Sequence, residues 1–323
     1  MTVTVPRFER APLRRAVLTV QAVALGGALG LGGLGLGLAA AQDATPGTGA
    51  CVPPAVGDTV GAEAMASPAA ETVAAELAAT PAGDEIVARA AAAVDNFVAC
   101  WNSGDLGATL ALVTPNLLQG CFGLADAQAA EAALPELDLG ALTLLETGEV
   151  ATYDDGRASI DVAYMRGDYQ HVDARWFMVE RDGELLIDQE SLLPPRPEGD
   201  QAIVGYTIAD DATPLAFDQF TEVGPSPVLV LSGVNNGAER HVVRLVRLAA
   251  AEAGAATPVA GEEVATVPAE LVAVGTTVGL IALAPGAREE LALVGMPAGA
   301  YALVDDAVEG SAAALTVAVQ LEA

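Results

Sequence analysis

Four strand-like runs between residues 142 and 192 constrain the fold most strongly, because a tight-turn signal separates each from the next. The runs cover residues 142–153, 157–166, 169–181 and 184–192, and the turns contain Asp-Gly or Gly-Asp pairs. Such pairs join neighbouring antiparallel strands. Within 157–166, apolar residues alternate with more polar ones, which predicts one buried face. The sequence therefore predicts a four-stranded antiparallel meander.

Helices are predicted before this meander. Apolar residues recur at helical spacing between Ile86 and Trp101, with Asp84 as the expected N-cap and an end at Asn102-Ser103-Gly104. Asp105 is expected to cap a second helix that runs to Val113. A third helix fits residues 125–133, before Pro135.

The block 84–193 resembles the nuclear transport factor 2-like superfamily, which includes SnoaL-like cyclases and ketosteroid isomerase. The resemblance rests on VDNFVACWNSGDLGATLALVTP and on ARWFMVERDGELLIDQE, in which a Trp-containing strand turns at Asp-Gly. It implies an α+β cone, with helices packed on a curved antiparallel sheet around an apolar pocket. The candidate pocket residues are Trp101, Tyr164, Trp176 and Met178.

Catalysis in that superfamily, where present, uses a carboxylate or a His-Asp pair as general base. The weak candidates for an acid or base here are Asp95, Tyr164, His171 and Asp188. Strand alternation puts His171 and Asp173 on the face opposite Trp176. An enzyme is favoured if His171 and Asp173 point into an apolar cavity, and disfavoured if they face solvent.

Pro194-Pro195-Arg196-Pro197 interrupts the strand pattern, so a proline-rich linker is predicted at 194–201. Seven short strand-like runs separated by Gly and Pro turns follow in 202–323, a pattern typical of a β-sandwich. The runs are 202–208, 227–234, 241–248, 277–283, 290–294, 301–304 and 315–321.

The 202–323 block resembles cupredoxin-like domains through PVLVLSGVNNGAERHVVRLVRL and LALVGMPAGAYALVDDAVEG. The resemblance places His241 at the first copper-ligand position. Asp305 and Asp306 stand where the family pattern provides soft ligands, and no Cys follows residue 200. Blue-copper sites need a thiolate and two imidazoles. We therefore expect no metal and no cofactor, with His241 at the surface or a strand end and Met296 in the core.

The N-terminus predicts export. Arg7, Arg10, Arg14 and Arg15 precede an uncharged run over 16–41 that ends in three Ala. Residues 1–41 are thus a signal peptide or a signal anchor, and both place the remaining chain outside the cytoplasm. The Arg14-Arg15 pair resembles a twin-arginine signal, although it also fits an ordinary positively charged region. Residues 42–83, rich in Ala, Pro, Thr and Gly, are expected to form a disordered linker.

Charge narrows the partners. The 323 residues contain 14 Lys+Arg, all of them Arg, against 43 Asp+Glu, a net charge of -29. Nucleic-acid affinity needs clustered cations, so a nucleic-acid partner is not expected. The membrane is expected to be contacted only through the N-terminal segment. A small apolar ligand or a protein partner is left, and the acidic surface would suit cationic material.

Three cysteines raise the question of a disulfide in an exported chain. The predicted antiparallel helix pair favours a bridge between Cys100 and Cys121. Two buried thiols, or Cys51 paired with either residue, are the alternatives.

The leading functional hypothesis is an exported, non-enzymatic binding or scaffold protein with a ligand-binding cone and a metal-free cupredoxin-like sandwich. A cyclase, isomerase or dehydratase acting in the cone, and an envelope adhesion protein, are the alternatives.

Overall fold

The computed structural model describes residues 50–52, 79–210, 215–217, 222–224, 226–248, 267, 272–307 and 312–317. They belong to one compact unit spanning residues 43–323. The predicted export segment 1–41 and most of the predicted linker 42–83 lie outside the described residues. Within them, no helix is long and apolar enough to cross a membrane.

Four helices are described. They are α1 (Asp84–Ser103), α2 (Leu106–Ala111), α3 (Pro115–Phe122) and α4 (Ala127–Leu137). Gly104 ends α1 in the left-handed conformation, and the Asp105 side chain caps α2 at Ala108 N, as predicted. The N-cap of α1 is Gly83 rather than Asp84, which lies in the first helical turn, where its charge favours the helix dipole.

Two helix predictions were wrong, both at prolines. Thr114-Pro115 was expected to stop the helical region, but Pro115 begins α3, because the first helical position needs no N–H donor. Pro135 was expected to end the third helix, yet α4 contains it and continues to Leu137.

Fourteen strands are found in the described ranges. They are β1 (Ala79–Pro81), β2 (Leu142–Tyr153), β3 (Ala158–Arg166), β4 (Gln170–Arg181), β5 (Glu184–Leu192), β6 (Gln201–Ile208), β7 (Ala216–Phe217), β8 (Glu222–Val223), β9 (Val228–Asn235), β10 (His241–Arg247), β11 (Thr276–Leu283), β12 (Arg288–Val294), β13 (Gly299–Asp305) and β14 (Ala312–Val317). The four-stranded meander and the seven later strands agree with the sequence prediction to within a few residues.

The first part of the chain is an α+β layer. Strands β2 to β5 pair in antiparallel succession, and α1 packs on β2, β3 and β5. Side chains alternate along β4: Val172, Ala174, Trp176 and Met178 are buried on one face, and the residues between them are only partly buried. The cone form of this layer stays a prediction.

The second part is a β-sandwich. Strands β12, β9, β6 and β7 face a second sheet with the order β11-β10-β13-β14-β8. Apolar side chains from both sheets form one core, and the largest fully buried members include Tyr206 and Tyr301. The sequence prediction of a sandwich after residue 201 is confirmed by this pairing.

The two parts share a sheet. At its start, β4 pairs with β12 through His171 opposite Ala292 and Gln170 opposite Leu293. The predicted linker packs beside this junction, with Pro197 buried and the Arg196 N–H donating to Asp173 Oδ2 at 2.8 Å. The predicted domain boundary is therefore bridged by strand pairing.

The linker prediction for 42–83 was wrong at both of its described ends. Residues Ala79–Pro81 form a strand that pairs with β2. At the other end, Val52 exchanges two backbone hydrogen bonds with the side-chain amide of Asn96 on α1, at 2.9 and 2.7 Å. A low-complexity composition did not exclude order where a partner surface was present.

Candidate functional site

His241 is the centre of a buried polar cluster in the sandwich. It begins β10 and is 1% exposed, so the expectation of a surface position was wrong. Its Nδ1 lies 2.7 Å from Oδ2 of Asp305, which ends β13 and is 2% exposed. Its Nε2 lies 3.2 Å from Oδ1 of Asp210, which follows β6. We call these three residues the His241 cluster.

The same cluster holds the turn between β9 and β10. Asp210 accepts hydrogen bonds from the backbone N–H groups of Ala238 and Glu239. The buried side chain of Asn235 donates to the carbonyl of Glu239 at 2.7 Å and accepts from Gly237 N at 2.8 Å. The turn 236–240 is thus fixed from two sides by side chains.

Hydrogen bonding sets the charge of the His241 cluster. Burial disfavours the imidazolium, but the hydrogen bonds to Asp210 and Asp305 outweigh that cost and raise the pKa of His241 above its usual value. The backbone N–H groups of Ala238 and Glu239, helped by His241, lower the pKa of Asp210. A charged imidazolium between two carboxylates is the state that these contacts favour, because each ring nitrogen can then donate a proton.

The cluster does not fit a blue-copper ion. Both ring nitrogens of His241 already face carboxylates, and Asp305 occupies the strand end where a thiolate is needed. The neighbouring Asp306 binds Arg244 through two hydrogen bonds, at 2.6 and 2.7 Å. No group of three or more metal-binding side chains is found in the described ranges.

A second buried polar cluster lies in the α+β layer. Arg166 Nη2 donates to the Tyr164 hydroxyl at 2.9 Å, which donates to Glu190 Oε2 at 3.0 Å. Cys121, a free thiol on α3, hydrogen-bonds Glu190, and burial followed by the Glu190 charge raises its pKa. A thiol with a raised pKa is a poor nucleophile. We call Tyr164, Arg166, Glu190 and Cys121 the Glu190 cluster.

The predicted pocket residues belong to the core. Trp176 packs edge-on against Phe97 at 5.4 Å and lies 5.6 Å from the Tyr164 ring, and Met178 is fully buried. Trp101 is partly buried, stacks on Phe122 at 6.4 Å, and donates its Nε1–H to the Gly140 carbonyl. These contacts fill the space between the residues, so they account for packing without a ligand.

Two buried donors in this layer have no hydrogen-bond acceptor, namely Arg166 Nε and Trp176 Nε1. Arg166 also forms part of the wall of a cavity of about 50 Å³. This space, between the β3–β4 turn and the start of β11, suffices for a few water molecules.

The predicted acid–base candidates are dispersed. Asp95 is exposed on α1, whereas Asp188 is buried and accepts from Thr114 Oγ1 at 2.6 Å, beside the start of α3. His171 Nε2 lies 3.0 Å from Asp173 Oδ2, with both residues on the β4 face opposite Trp176, as strand alternation predicted. Only Tyr164 belongs to the Glu190 cluster.

The disulfide prediction was wrong. Cys51 pairs with Cys100, with 4.5 Å between their Cα atoms, and Cys121 is free. The Asn96 amide holds Val52 against α1 one turn before Cys100, which brings Cys51 within bonding distance. The prediction failed because the 42–83 segment was expected to be disordered.

Sequence reasoning missed Asp210, Arg166 and Glu190. Arg166 and Glu190 occupy apolar-face positions of their strands in a chain with few cations, a pattern that indicates a buried ion pair. Asp210 carried no local signal, because its partner His241 is 31 residues away.

Comparisons with known proteins concern part of the chain. A reduced auracyanin from Roseiflexus castenholzii is 18% identical, covering 36% of this chain and 97% of its own, with a TM-score of 0.24. Auracyanin A, a "blue" copper protein from Chloroflexus aurantiacus, is 20% identical over 37% of this chain and all of its own, with a TM-score of 0.24. A multicopper oxidase from Campylobacter jejuni is 9% identical, with 55% and 48% coverage and a TM-score of 0.24.

These solved structures are cupredoxin-like, and each is similar to only part of this chain. At such identities and TM-scores they carry no conclusion about ligands or chemistry. No protein-family model matches the chain, and no curated protein matches it. Nothing in these comparisons supports the resemblance of residues 84–193 to nuclear transport factor 2-like proteins, which stays a prediction.

Proposed function

We propose that this chain is an exported binding or scaffold protein whose cupredoxin-like sandwich does not carry copper. One observation carries the proposal: His241, at the position the family pattern gives to a copper ligand, has both ring nitrogens engaged by carboxylates. A metal entering at Nδ1 would have to displace the buried Asp305. Removing that partner would leave a buried carboxylate unpaired, which is energetically costly.

The role outside the cytoplasm is part of the same proposal. The Arg-flanked uncharged run of residues 16–41 supports export, and the Cys51–Cys100 disulfide suits an oxidising compartment. The strongly acidic composition favours a cationic or neutral partner over nucleic acid or an anionic lipid surface.

Copper titration of the full-length protein tests the proposal. We expect no intense visible charge-transfer band and no copper retained after gel filtration. Asp305→Ala is the matched variant, because it frees Nδ1 of His241 while leaving the strand backbone intact. Stoichiometric copper bound by the wild-type protein, with a thiolate-type band, would overturn the proposal.

A small-ligand site in the α+β layer is the second candidate. Its support is the pair of buried donors without acceptors, Arg166 Nε and Trp176 Nε1, in the layer that holds the Glu190 cluster. A ligand with a carbonyl or carboxylate oxygen would satisfy such donors. Native mass spectrometry of the purified protein should detect a retained molecule, and its loss in Arg166→Met would locate the site. A mass equal to that of the polypeptide alone would leave water as the partner of these donors.

A further inference from the structure

We propose that the His241 cluster is a pH-dependent lock on the contact between the β-sandwich and helix α3. The lock is closed when His241 carries a proton on both ring nitrogens and opens when it loses one. The inference goes beyond the binding or scaffold role, and it does not depend on whether that role is correct.

The first step is the geometry of the lock. Asp305 approaches one ring nitrogen of His241 and Asp210 the other, at 2.7 and 3.2 Å. A neutral imidazole can donate only one of these two hydrogen bonds. Deprotonation therefore leaves one carboxylate facing a nitrogen lone pair. Asp210 is the more exposed partner, with a side-chain exposure of 34% against 1% for Asp305, so it is the one that can move away.

The second step is what Asp210 holds. Its carboxylate binds the backbone N–H groups of Ala238 and Glu239, and it fits closely against Gly237, where a Cβ atom would collide with it. If Asp210 moves, the turn 236–240 loses those hydrogen bonds. The state of His241 is thereby transmitted to the turn.

The third step is the connection to α3. Arg240, the last residue of the turn, donates Nη1–H to the carbonyl of Gly120 on α3 at 3.0 Å. Beside it, Val242 packs closely against Gly123, which ends α3. The turn that Asp210 stabilises thus ends in the side chain that fastens α3 to the sandwich.

The other charged groups around the lock do not replace its proton. Asp306 is paired with Arg244, and Tyr206 on β6 is a buried hydroxyl whose pKa burial raises further. Strand β11 places Leu283 opposite His241 and adds no charge there. Glu289 on β12 is influenced by the charge of Arg240, and burial raises its pKa to about 7. As pH rises, Glu289 ionises and His241 becomes neutral, so both changes add negative charge to this region.

Hydrogen exchange of the full-length protein tests the lock. Amide protection in residues 115–122 and 236–240 is measured at pH 6 and pH 9, with each rate corrected for the intrinsic exchange rate at that pH. We expect protection of both segments to fall several-fold at pH 9. His241→Gln should show low protection at both pH values. Arg240→Gln should keep the pH response of the turn but lose that of α3.

His171→Gln is the matched control, because His171 is the other histidine of the chain and also contacts an aspartate. It should respond to pH like the wild type. Unchanged protection in the wild type would overturn the lock, and so would a pH response abolished by His171→Gln. A response of α3 that survives in Arg240→Gln would overturn the connection through Arg240.

If His241→Gln does not fold, NMR of the wild-type imidazole nitrogens gives an independent result. Two protonated ring nitrogens at pH 6, losing a proton as the turn signals shift, would support the lock. A neutral ring at pH 6, or turn signals that do not follow the titration, would contradict it.

Discussion

The side chain of Gln170 pairs with the backbone of Leu280 in both directions. Its Nε2–H donates to the Leu280 carbonyl at 2.8 Å, and its Oε1 accepts from the Leu280 N–H at 3.0 Å, although 110 residues separate the two. Gln170 is 4% exposed and Leu280 is 1% exposed. The amide thus acts as one residue of a strand partner and joins β4 of the α+β layer to β11 of the sandwich.

Removing this amide should destabilise the protein. Gln170→Leu leaves a buried N–H and a buried carbonyl of Leu280 without partners, and each such loss costs about 1–3 kcal/mol. Chemical denaturation should show a decrease of about 2–5 kcal/mol in the free energy of unfolding. Asn102, which makes the same pair of bonds with Leu142 in a more exposed setting, is the comparison. Asn102→Leu should cost less, and an equal or larger loss would mean that burial does not govern this effect.

The disulfide should stabilise the chain through Cys51 and Cys100, not through Cys121. A bridge with a sequence separation of 49 contributes about 4 kcal/mol in the chain-entropy model. Cys51→Ser should lower the melting temperature and abolish its sensitivity to reductant. Cys121→Ser should keep that sensitivity. Mass mapping of peptides without reductant should find Cys51 joined to Cys100, and a Cys100–Cys121 peptide would contradict the structure.

Asp188 should prove structural. It accepts hydrogen bonds from Thr114 and Asn116 at the start of α3. Asp188→Asn replaces one acceptor oxygen with a donor, so it should destabilise the protein by about 1–3 kcal/mol, measured by denaturant unfolding. Asp95→Asn, at an exposed position of α1, should change stability by less than about 0.5 kcal/mol. Equal effects of the two substitutions would show that Asp188 does not anchor α3.

Glu289 should make stability depend on pH. Burial, helped by the neighbouring Glu290, raises its pKa from 4.5 to about 7. The folded state therefore binds more protons than the unfolded state between those values, and stability falls as pH rises through that window. Glu289→Gln should remove about 2 kcal/mol of this fall, allowing for the partial exposure of the carboxyl. The slope of unfolding free energy against pH between 4.5 and 7 measures it, and a slope unchanged in Glu289→Gln would refute the assignment.

Trp101 should contribute through both packing and its indole N–H. Trp101→Phe keeps a ring against Phe97 and Phe122 but loses the hydrogen bond to Gly140, so it should cost about 1 kcal/mol. Trp101→Ala loses both and should cost about 3 kcal/mol. Thermal unfolding separates the two variants. A cost below about 1 kcal/mol for Trp101→Ala would mean that the ring does not support the core.

Local sequence determined most of the secondary structure. The alternation around Ile160 and Trp176, with Asp-Gly turns between runs, set the strands and their faces because strand periodicity and turn geometry act over a few residues. The same locality explains the end of α1 at Gly104 and the cap of α2 at Asp105. Proline misled the prediction at Pro115, since a residue that ends one helix also suits the first position of another.

Only the tertiary structure decided which distant groups meet. His241 acquires Asp210 and Asp305 from strands 31 and 64 residues away, Cys51 is brought to Cys100 by the Asn96 amide, and Gln170 reaches Leu280. None of these pairs has a periodic signature, because each depends on how two sheets and a helix pack together. The sequence determined that His241 had no thiolate or second imidazole nearby to hold copper. Packing determined that two carboxylates surround it instead, since a buried imidazole requires hydrogen-bond partners wherever the fold can supply them.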